Sequence, residues 1–477
     1  MPSRLDAVVV GGGPNGLAAA VELARNGAEV LVLEAAATVG GGTRTAELTL
    51  PGFHHDVCSA AHPLGILSPY LRTLPLAEHG LHWIQPTASV AHPLDGEPAV
   101  MLRKSLDATA AGLGRDATAY RRLIGPMLRH PNNLIAEVLG PAHLPRHPLM
   151  LAGFGAPALL PATVLGRAVF RGERARALLA GCAAHSILPL TRPVSAAVGL
   201  LFLLTGHVET WPIAQGGSAA ITGALAGYLL SLGGRIQTGT PINALADLPP
   251  SRIVLFDTSP DQVAIIASPV LPTRYVNRLR RYRYGPGIFK IDWALDGPIP
   301  WTDPACLESA TVHLGGTLDE IAASEAAIWR GAVTDRPYMI VVQPSLFDSS
   351  RAPAGKHTGW AYCHVPAGSS LDLTDVLERQ VERSAPGFRD RILARHVMNT
   401  ADLERYDANY VGGAITGGVT DLGQLFTRPV ARVNPYSTPN PDVFICSAST
   451  PPGGGVHGMC GYHAARSALR RLASAAV

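Results

Sequence analysis

The chain has 477 residues, 47% hydrophobic and 16% charged, with a formal net charge of +3. That length suits two or three domains around a large core, and the composition marks a globular protein. The small net charge offers no basic footprint for nucleic acid, so no nucleic-acid partner is expected.

Asp6 to Val10 is a short apolar run that suits a buried parallel strand. Gly11-Gly12-Gly13-Pro14-Asn15-Gly16 follows, then a predicted helix from Leu17 to Asn26 with Leu17, Ala20, Val21 and Ala24 on one face. Gly27 stops it, and Glu29 to Leu33 is a second buried strand closed by Glu34. The strand–turn–helix–strand unit carries G-x-G-x-x-G at its turn. Gly11 lets the chain turn, Gly13 lets a pyrophosphate approach the backbone, and Gly16 lets helix and strand pack closely. Pro14 suits the first helical turn. The free N–H groups of Asn15 and its neighbours at the helix start, with the helix dipole, favour phosphate, while Pro14 has no N–H and contributes only its ring. Glu34 stands where an acid accepts ribose hydroxyls.

Thr45 to Val57 reads as a hairpin turning at Pro51-Gly52. His54, His55 and His62 lie close in sequence, but adjacent strand residues point to opposite faces, so no metal site is expected. A histidine lining a cavity is the working reading. Residues 93–97 form a hairpin turn, Ser105 caps a helix, and Ala117 to Arg129 is a second amphipathic helix. Leu144 to Arg171 is apolar, broken by Pro148, Pro157 and Pro161, and runs into a basic stretch from Arg167 to Arg176. Helices packed over a substrate cavity are one reading; a surface touching membrane lipid is the other. Val194 to Gly206 is too short to span a bilayer and reads as a buried helix.

Ser218 to Leu232 is a helix ended by Gly233-Gly234, then come a strand at Arg235 to Thr238 and another at Arg252 to Thr258. Gly287 to Asp296 and Trp360 to Val365 alternate as strands of an antiparallel sheet, and Leu371 to Ser384 is a helix. Lys290 sits mid-strand, where a solvent-facing lysine is the expectation. Near the C-terminus the strand Val443 to Cys446 feeds Pro452-Gly453-Gly454-Gly455-Val456-His457-Gly458 and a last helix, a second anion-favouring turn. Six cysteines are scattered without CxxC spacing, so neither a disulfide framework nor a zinc site is readable. The first strand begins within a few residues of Met1, so a cytoplasmic location is the expectation, with membrane association as the variant of it.

Glu34 followed by Gly40-Gly41-Gly42 and Thr45, the Gln215 to Ile242 block, Gly412 to Pro429 and the Pro452 to Gly458 run resemble the phytoene desaturase-like and amine oxidase superfamily of flavoproteins. Within it the resemblance is to the group called pyridine nucleotide-disulphide oxidoreductase domain-containing protein 2. The resemblance implies an α/β fold: a Rossmann-like FAD-binding domain of glutathione reductase type, interleaved with an α+β substrate domain. It divides the chain into 1–70, 206–270 and 405–477 for FAD, and 71–205 and 271–404 for the substrate or lid domain. The cofactor implied is FAD, held by Gly11, Gly13, Pro14, Asn15, Gly16, Glu34, Gly41, Gly42, Ile242, Gly454, Gly455, Val456 and Gly458. Thr38 and Gly42 stand where many members carry arginine, which leaves contacts there to the backbone.

The activity implied is hydride transfer from a small apolar substrate, polyene or lipid-like, to flavin N5. The electron acceptor stays open between oxygen, a quinone and a nicotinamide. No catalytic residue declares itself; His62, His457 and Tyr462 are the candidates. A flavin amine oxidase ranks second, because Tyr462 has no aromatic partner beside it. A third reading gives FAD a non-redox role, as in an isomerase or partner-binding protein.

Overall fold

The computed structural model describes residues 4–474. Its first sheet has five parallel strands in the order Val443–Ile445, Ser251–Phe256, Leu5–Val10, Val30–Leu33, Arg235–Gln237. Leu5–Val10 lies in the middle because both its faces are apolar. Ala7 and Val9 join Leu17 and Val21 of the helix Pro14–Arg25 on one side. Val8 and Val10 join Phe256, Val263 and Leu279 on the other. Full burial of a Leu or Val in such a layer contributes about 1.5–3 kcal/mol. The C-terminal helix Met459–Ser474 crosses the first helix closely. A Cβ on Gly461 would stand 1.8 Å from the Asn15 carbonyl oxygen, so glycine is required at the crossing. The α/β class and the Rossmann-like parallel core agree with the sequence reading.

The second sheet has seven strands in the order Ile392–Met398, Gly287–Leu295, His357–Val365, Met339–Val342, Ser309–Leu314, Ala88–Leu94, Glu97–Arg103. All neighbours are antiparallel except Ser309–Leu314 with Ala88–Leu94. The predicted strands around Lys290 and Tyr362 pair along their whole length, from Gly287 opposite Val365 to Leu295 opposite His357. One face, with Phe289, Ile291, Trp293, Val341 and Cys363, packs on Val381 and Phe388. Ile340, Val342, Trp360 and Tyr362, of opposite parity, turn toward the other core and its helices.

Several local expectations change. Lys290 is fully buried, not solvent-facing, because its strand is central and Asp292 on the same strand face pairs with its ammonium. The predicted helix 117–129 stops as an α-helix at Ile124, and Gly125–Arg129 continues as a 3₁₀ turn carrying Pro126, which lacks the amide an α-helix would use. The helix expected from Leu371 begins at Thr374. The apolar stretch from Leu144 folds as two helices, Pro148–Ala158 and Ala162–Val169, bent by 98° across Pro161. Among the described residues no single helix is long and apolar enough to cross a membrane. Ser195–Val208 is a buried helix, as its composition predicts.

Candidate functional site

A cavity of about 1080 Å³ begins at the carboxyl end of the parallel sheet and continues to the inner face of the second sheet. The first helix delimits one end. Gly13 precedes it without side-chain capping, and Pro14 occupies its first turn. The result is an N-terminus whose amide groups face an anion site. Gly11 has φ +105°, and a Cβ on Gly16 would lie 2.1 Å from the Gly11 carbonyl oxygen. Both glycines are therefore dictated by the turn itself.

Glu34, at the end of its strand, is held on three sides. Its Oε2 accepts from the Gly12 amide at 2.7 Å, and its Oε1 accepts from the Ala36 amide at 2.8 Å and from Arg44 Nη2 at 3.2 Å. The Arg44 guanidinium also donates to the Thr38 carbonyl at 2.8 Å and lies 5.4 Å from the Tyr406 ring centre. Backbone contacts alone were expected here, because the usual arginine positions carry Thr38 and Gly42. Arg44 supplies a side-chain cation from a shifted position. The signal was its place next to Thr45, two residues after the glycine cluster. Gly41 and Gly42 lie on a short 3₁₀ turn, where a Cβ on Gly42 would meet the Tyr410 hydroxyl at 2.2 Å.

Asp257 follows the strand Ser251–Phe256 and reaches the same helix start, where its Oδ2 accepts from the Gly16 amide at 2.7 Å. Burial pushes its carboxyl well above the usual range against the lowering effect of that amide, and Asp407 and Glu34 add to the rise. Burial raises Asp407 likewise. Asp257 carried no sequence signal of a site; only the parallel pairing with Leu5–Val10 brings it there.

Gly454, Gly455, Val456 and His457 line the far side of the cavity on the loop before the C-terminal helix. Buried Arg428 shapes this loop, donating through Nε to Ser449 and through Nη2 to Ala448, Gly417 and Tyr282. Of the residues picked from sequence, Gly11, Gly13, Pro14, Asn15, Glu34, Gly41, Gly42, Ile242, Gly454, Gly455, Val456, His62 and His457 line this one space. Gly16 and Gly458 are not among its lining residues. Gly16 serves helix–strand packing, and Gly458 (φ +67°) packs against Ala18 and Leu71.

The three catalytic candidates separate. His62 is buried, with Nε2 2.9 Å from Ser218 Oγ and Nδ1 3.3 Å from Ser59 Oγ, so both ring nitrogens are engaged. Burial lowers it to about 4. His457 accepts the Met459 amide on Nδ1 at 3.0 Å and keeps Nε2 unpartnered; burial lowers it to about 4 as well. Tyr462 stacks on Tyr70 with ring centres 4.6 Å apart and lies outside the cavity lining. The inner chamber is lined by Leu201, Phe202, Trp211, Ile340, Val342 and Trp360, with the helix Pro148–Ala158 contributing Leu151, Phe154 and Ala158. The buried pair Lys290–Asp292 lies behind Trp360, outside the lining, with buried His55 and half-buried His396 beside Asp292.

A Rossmann-like sheet with a glycine turn, an acid at the end of its second strand and a second sheet closing one long cavity together define a dinucleotide-binding scaffold. Residues 9–74 match the model of the NAD(P)-binding Rossmann-like domain. The fold is that of an oxidoreductase from Methanosarcina mazei, with a TM-score of 0.65 at 17% identity over 98% of this chain and 100% of that one. It is also that of the cyclohexylamine oxidase from Brevibacterium oxydans, with a TM-score of 0.61 at 15% identity over the whole of both chains. In particular, the chain is 28% identical over 98% of its length to the rat protein named pyridine nucleotide-disulfide oxidoreductase domain-containing protein 2, covering 94% of that protein. The mouse protein of the same name matches at the same identity and coverage.

Proposed function

We propose that the protein is an FAD-dependent oxidoreductase, a dehydrogenase, oxidase or desaturase, taking a hydride from an apolar, polyene or lipid-like substrate onto flavin N5. The observation that carries this reading is continuity. The dinucleotide end, with Gly13, Glu34 and Gly41, and the apolar chamber, with Leu201, Ile340 and Trp360, open into one cavity. A nicotinamide site alone would not need the glycine-rich loop 453–455 at the far wall.

The residues fit such a cofactor. Asn15 Oδ1, Thr258 Oγ1 and His457 Nε2 are buried polar atoms without partners, all on residues that line the cavity. The amides at the first helix start would hold the pyrophosphate, Glu34 with Arg44 the ribose, the Ile242 backbone the adenine, and the Gly454–His457 amides the flavin edge. FAD supplies the two-electron acceptor when bound. The chain's own task is to keep water out and hold the substrate carbon against that acceptor. His457, neutral by burial, keeps one free ring nitrogen on this wall. The terminal acceptor in this reading is a small species: oxygen, a quinone or a nicotinamide.

Substrate entry is assigned to the helices Pro148–Ala158 and Ala162–Val169. The first lines the cavity with one side, while its own Leu149 is 89% exposed and Leu144, just before it, 92% exposed. No acidic residue occurs from Val138 to Gly172, whereas Arg146, Arg167 and Arg171 do. This composition suits a cytoplasmic protein that rests on an anionic lipid surface. An amine substrate is the second reading, favoured by the likeness in fold to putrescine oxidase (TM-score 0.61 at 16% identity) and cyclohexylamine oxidase.

The test is spectroscopic. Protein reconstituted with FAD should carry the visible flavin band, and one class among anaerobic additions of lipids, polyenes and amines should bleach it. A colourless protein after FAD addition overturns the cofactor; a band that no addition bleaches turns the reading to a non-redox role.

A further inference from the structure

The inner end of the cavity is wetter in character than its apolar walls suggest. In the second sheet Thr311 lies opposite Val342, and Val342 opposite Trp360. One row across three strands therefore carries a hydroxyl and an indole on the same face, with a valine between them. The next row holds His313, Ile340 and Tyr362. Thr311, Trp360 and Tyr362 all line the chamber, as does His185 from the helix Glu173–Ala184 and its end.

Two members of this group have unspent hydrogen-bonding capacity. Thr311 Oγ1 and Trp360 Nε1 are buried without a partner, in residues 1% and 5% exposed. His185 uses Nε2 on His313 Nε2 at 3.0 Å. Behind Tyr362, both carboxylate oxygens of Glu325 hold His364 Nδ1, at 3.0 and 2.9 Å. Buried polar atoms in folded proteins are almost always paired, so orphans in a cavity wall point to a ligand atom that pairs them.

Their chemistry narrows the ligand. An indole N–H only donates, and a phenol and a hydroxyl both can donate. Burial pushes the Tyr362 phenol up, keeping its proton, and lowers His185 to about 3, keeping it neutral. The acids in the cavity lining are Glu34, Asp257 and Asp407 at the dinucleotide end, and Glu137, which is paired with His143 at 2.8 Å. The inner chamber is thus rich in donors and without formal charge.

We propose that Thr311, Trp360, Tyr362 and His185 bind an uncharged oxygen-bearing group, a carbonyl or an alcohol, at the buried end of an otherwise apolar substrate. This rests on reading the cavity as the substrate site and deepens it. A plain hydrocarbon leaves the donors unpaired, and an ammonium finds no acid.

The experiment is calorimetric binding of a medium-chain methyl ketone, the matching secondary alcohol, the parent alkane and the primary ammonium of equal length. It is run on FAD-loaded protein and on the chain without FAD. The ketone and alcohol are expected to bind roughly tenfold tighter than the alkane or the ammonium. Thr311→Val, Trp360→Phe and Tyr362→Phe should each weaken the ketone by roughly 2- to 12-fold, the loss of one neutral hydrogen bond, and leave the alkane unchanged. Thermal unfolding of each variant checks that it folds, and a variant that does not is set aside in favour of the other two. Equal affinity for ketone and alkane, tighter binding of the ammonium, equal losses for both ligands, or no binding of the ketone each overturn the proposal. Failure of the flavin band to appear strikes the FAD reading alone, because the chain without FAD still reports the ketone preference.

Discussion

At the residue scale, two carboxylates at the first helix start do opposite things. Glu34 is fully bonded by Gly12, Ala36 and Arg44, so it is fixed in place before any ribose arrives. Glu34→Ala should weaken FAD binding by roughly 10- to 150-fold, the loss of about 1.5–3 kcal/mol for a hydrogen bond to a charged group. Fluorescence titration of FAD measures it, and unchanged affinity would move the ribose elsewhere. Asp257 instead takes the Gly16 amide that a phosphate would use, and burial raises its carboxyl. Protonated, it leaves the helix start without a competing charge; ionised, it repels the pyrophosphate. FAD affinity should therefore fall as pH rises through the Asp257 pKa. Asp257→Asn should flatten that pH dependence and, on the alkaline side where the parent carboxyl is ionised, tighten FAD on the order of tenfold, about one pKa unit of charge interaction. A variant that binds more weakly on that alkaline side would mean the carboxylate itself is a ligand contact. Asp257 did not stand out in the sequence, since it reaches the site only through a strand pairing distant along the chain, whereas Arg44 lies within ten residues of its partner Glu34.

At the element scale, the strand–glycine turn–helix unit was legible because local periodicity and turn chemistry point the same way. So was the pairing of Gly287–Leu295 with His357–Val365, where alternation separates the two faces. Lys290 shows where such reading stops. Period-two alternation places it on a face but does not say what covers that face, and here Asp292 and Trp360 do. The helix Pro148–Ala158 presents the opposite case, an apolar element whose exposed residues have no protein partner. Leu144→Glu with Leu149→Glu should lower co-flotation with anionic vesicles by at least roughly 100-fold, since each buried leucine contributes about 1.5–3 kcal/mol. Both side chains are solvent-exposed, so thermal stability should stay as in the parent chain. Undiminished flotation would remove the membrane from the account of substrate entry.

For the molecule as a whole, the abundance of buried neutral histidines sets its response to acid. Burial lowers His55, His62, His92, His207, His457 and His463 to about 4 and His185 to about 3. Each binds its proton more readily unfolded than folded. The stability each contributes is present above the unfolded value near 6.5 and is lost as pH falls through the folded value. Urea unfolding followed from pH 7 to pH 4 should show stability declining by up to about 1.4 kcal/mol per pH unit for each such histidine that stays buried. A flat profile would mean these side chains reach water. The buried Arg351–Asp56 pair, at 2.8 Å, ties the hairpin after the glycine cluster to the region of the second sheet. Although burial alone raises Asp56, the Arg351 guanidinium and the Ser218 amide hold it below the usual carboxylate range. Its contribution is likewise lost only toward low pH, reinforcing the acid side of the profile.

The sequence by itself determined the elements whose chemistry is local: the glycine turn, the acid that ends the second strand, the apolar strands and the glycine-rich approach to the last helix. These follow from backbone freedom and hydrophobic period, which neighbours in the chain specify. Only the tertiary structure decided which groups share the cavity. Asp257, Thr311, Trp360 and His185 share it because sheet register and helix packing, not chain proximity, set their places. Burial, which shifts His62, His185, His457 and Asp257, arises from that same packing and has no counterpart in a linear string of residues.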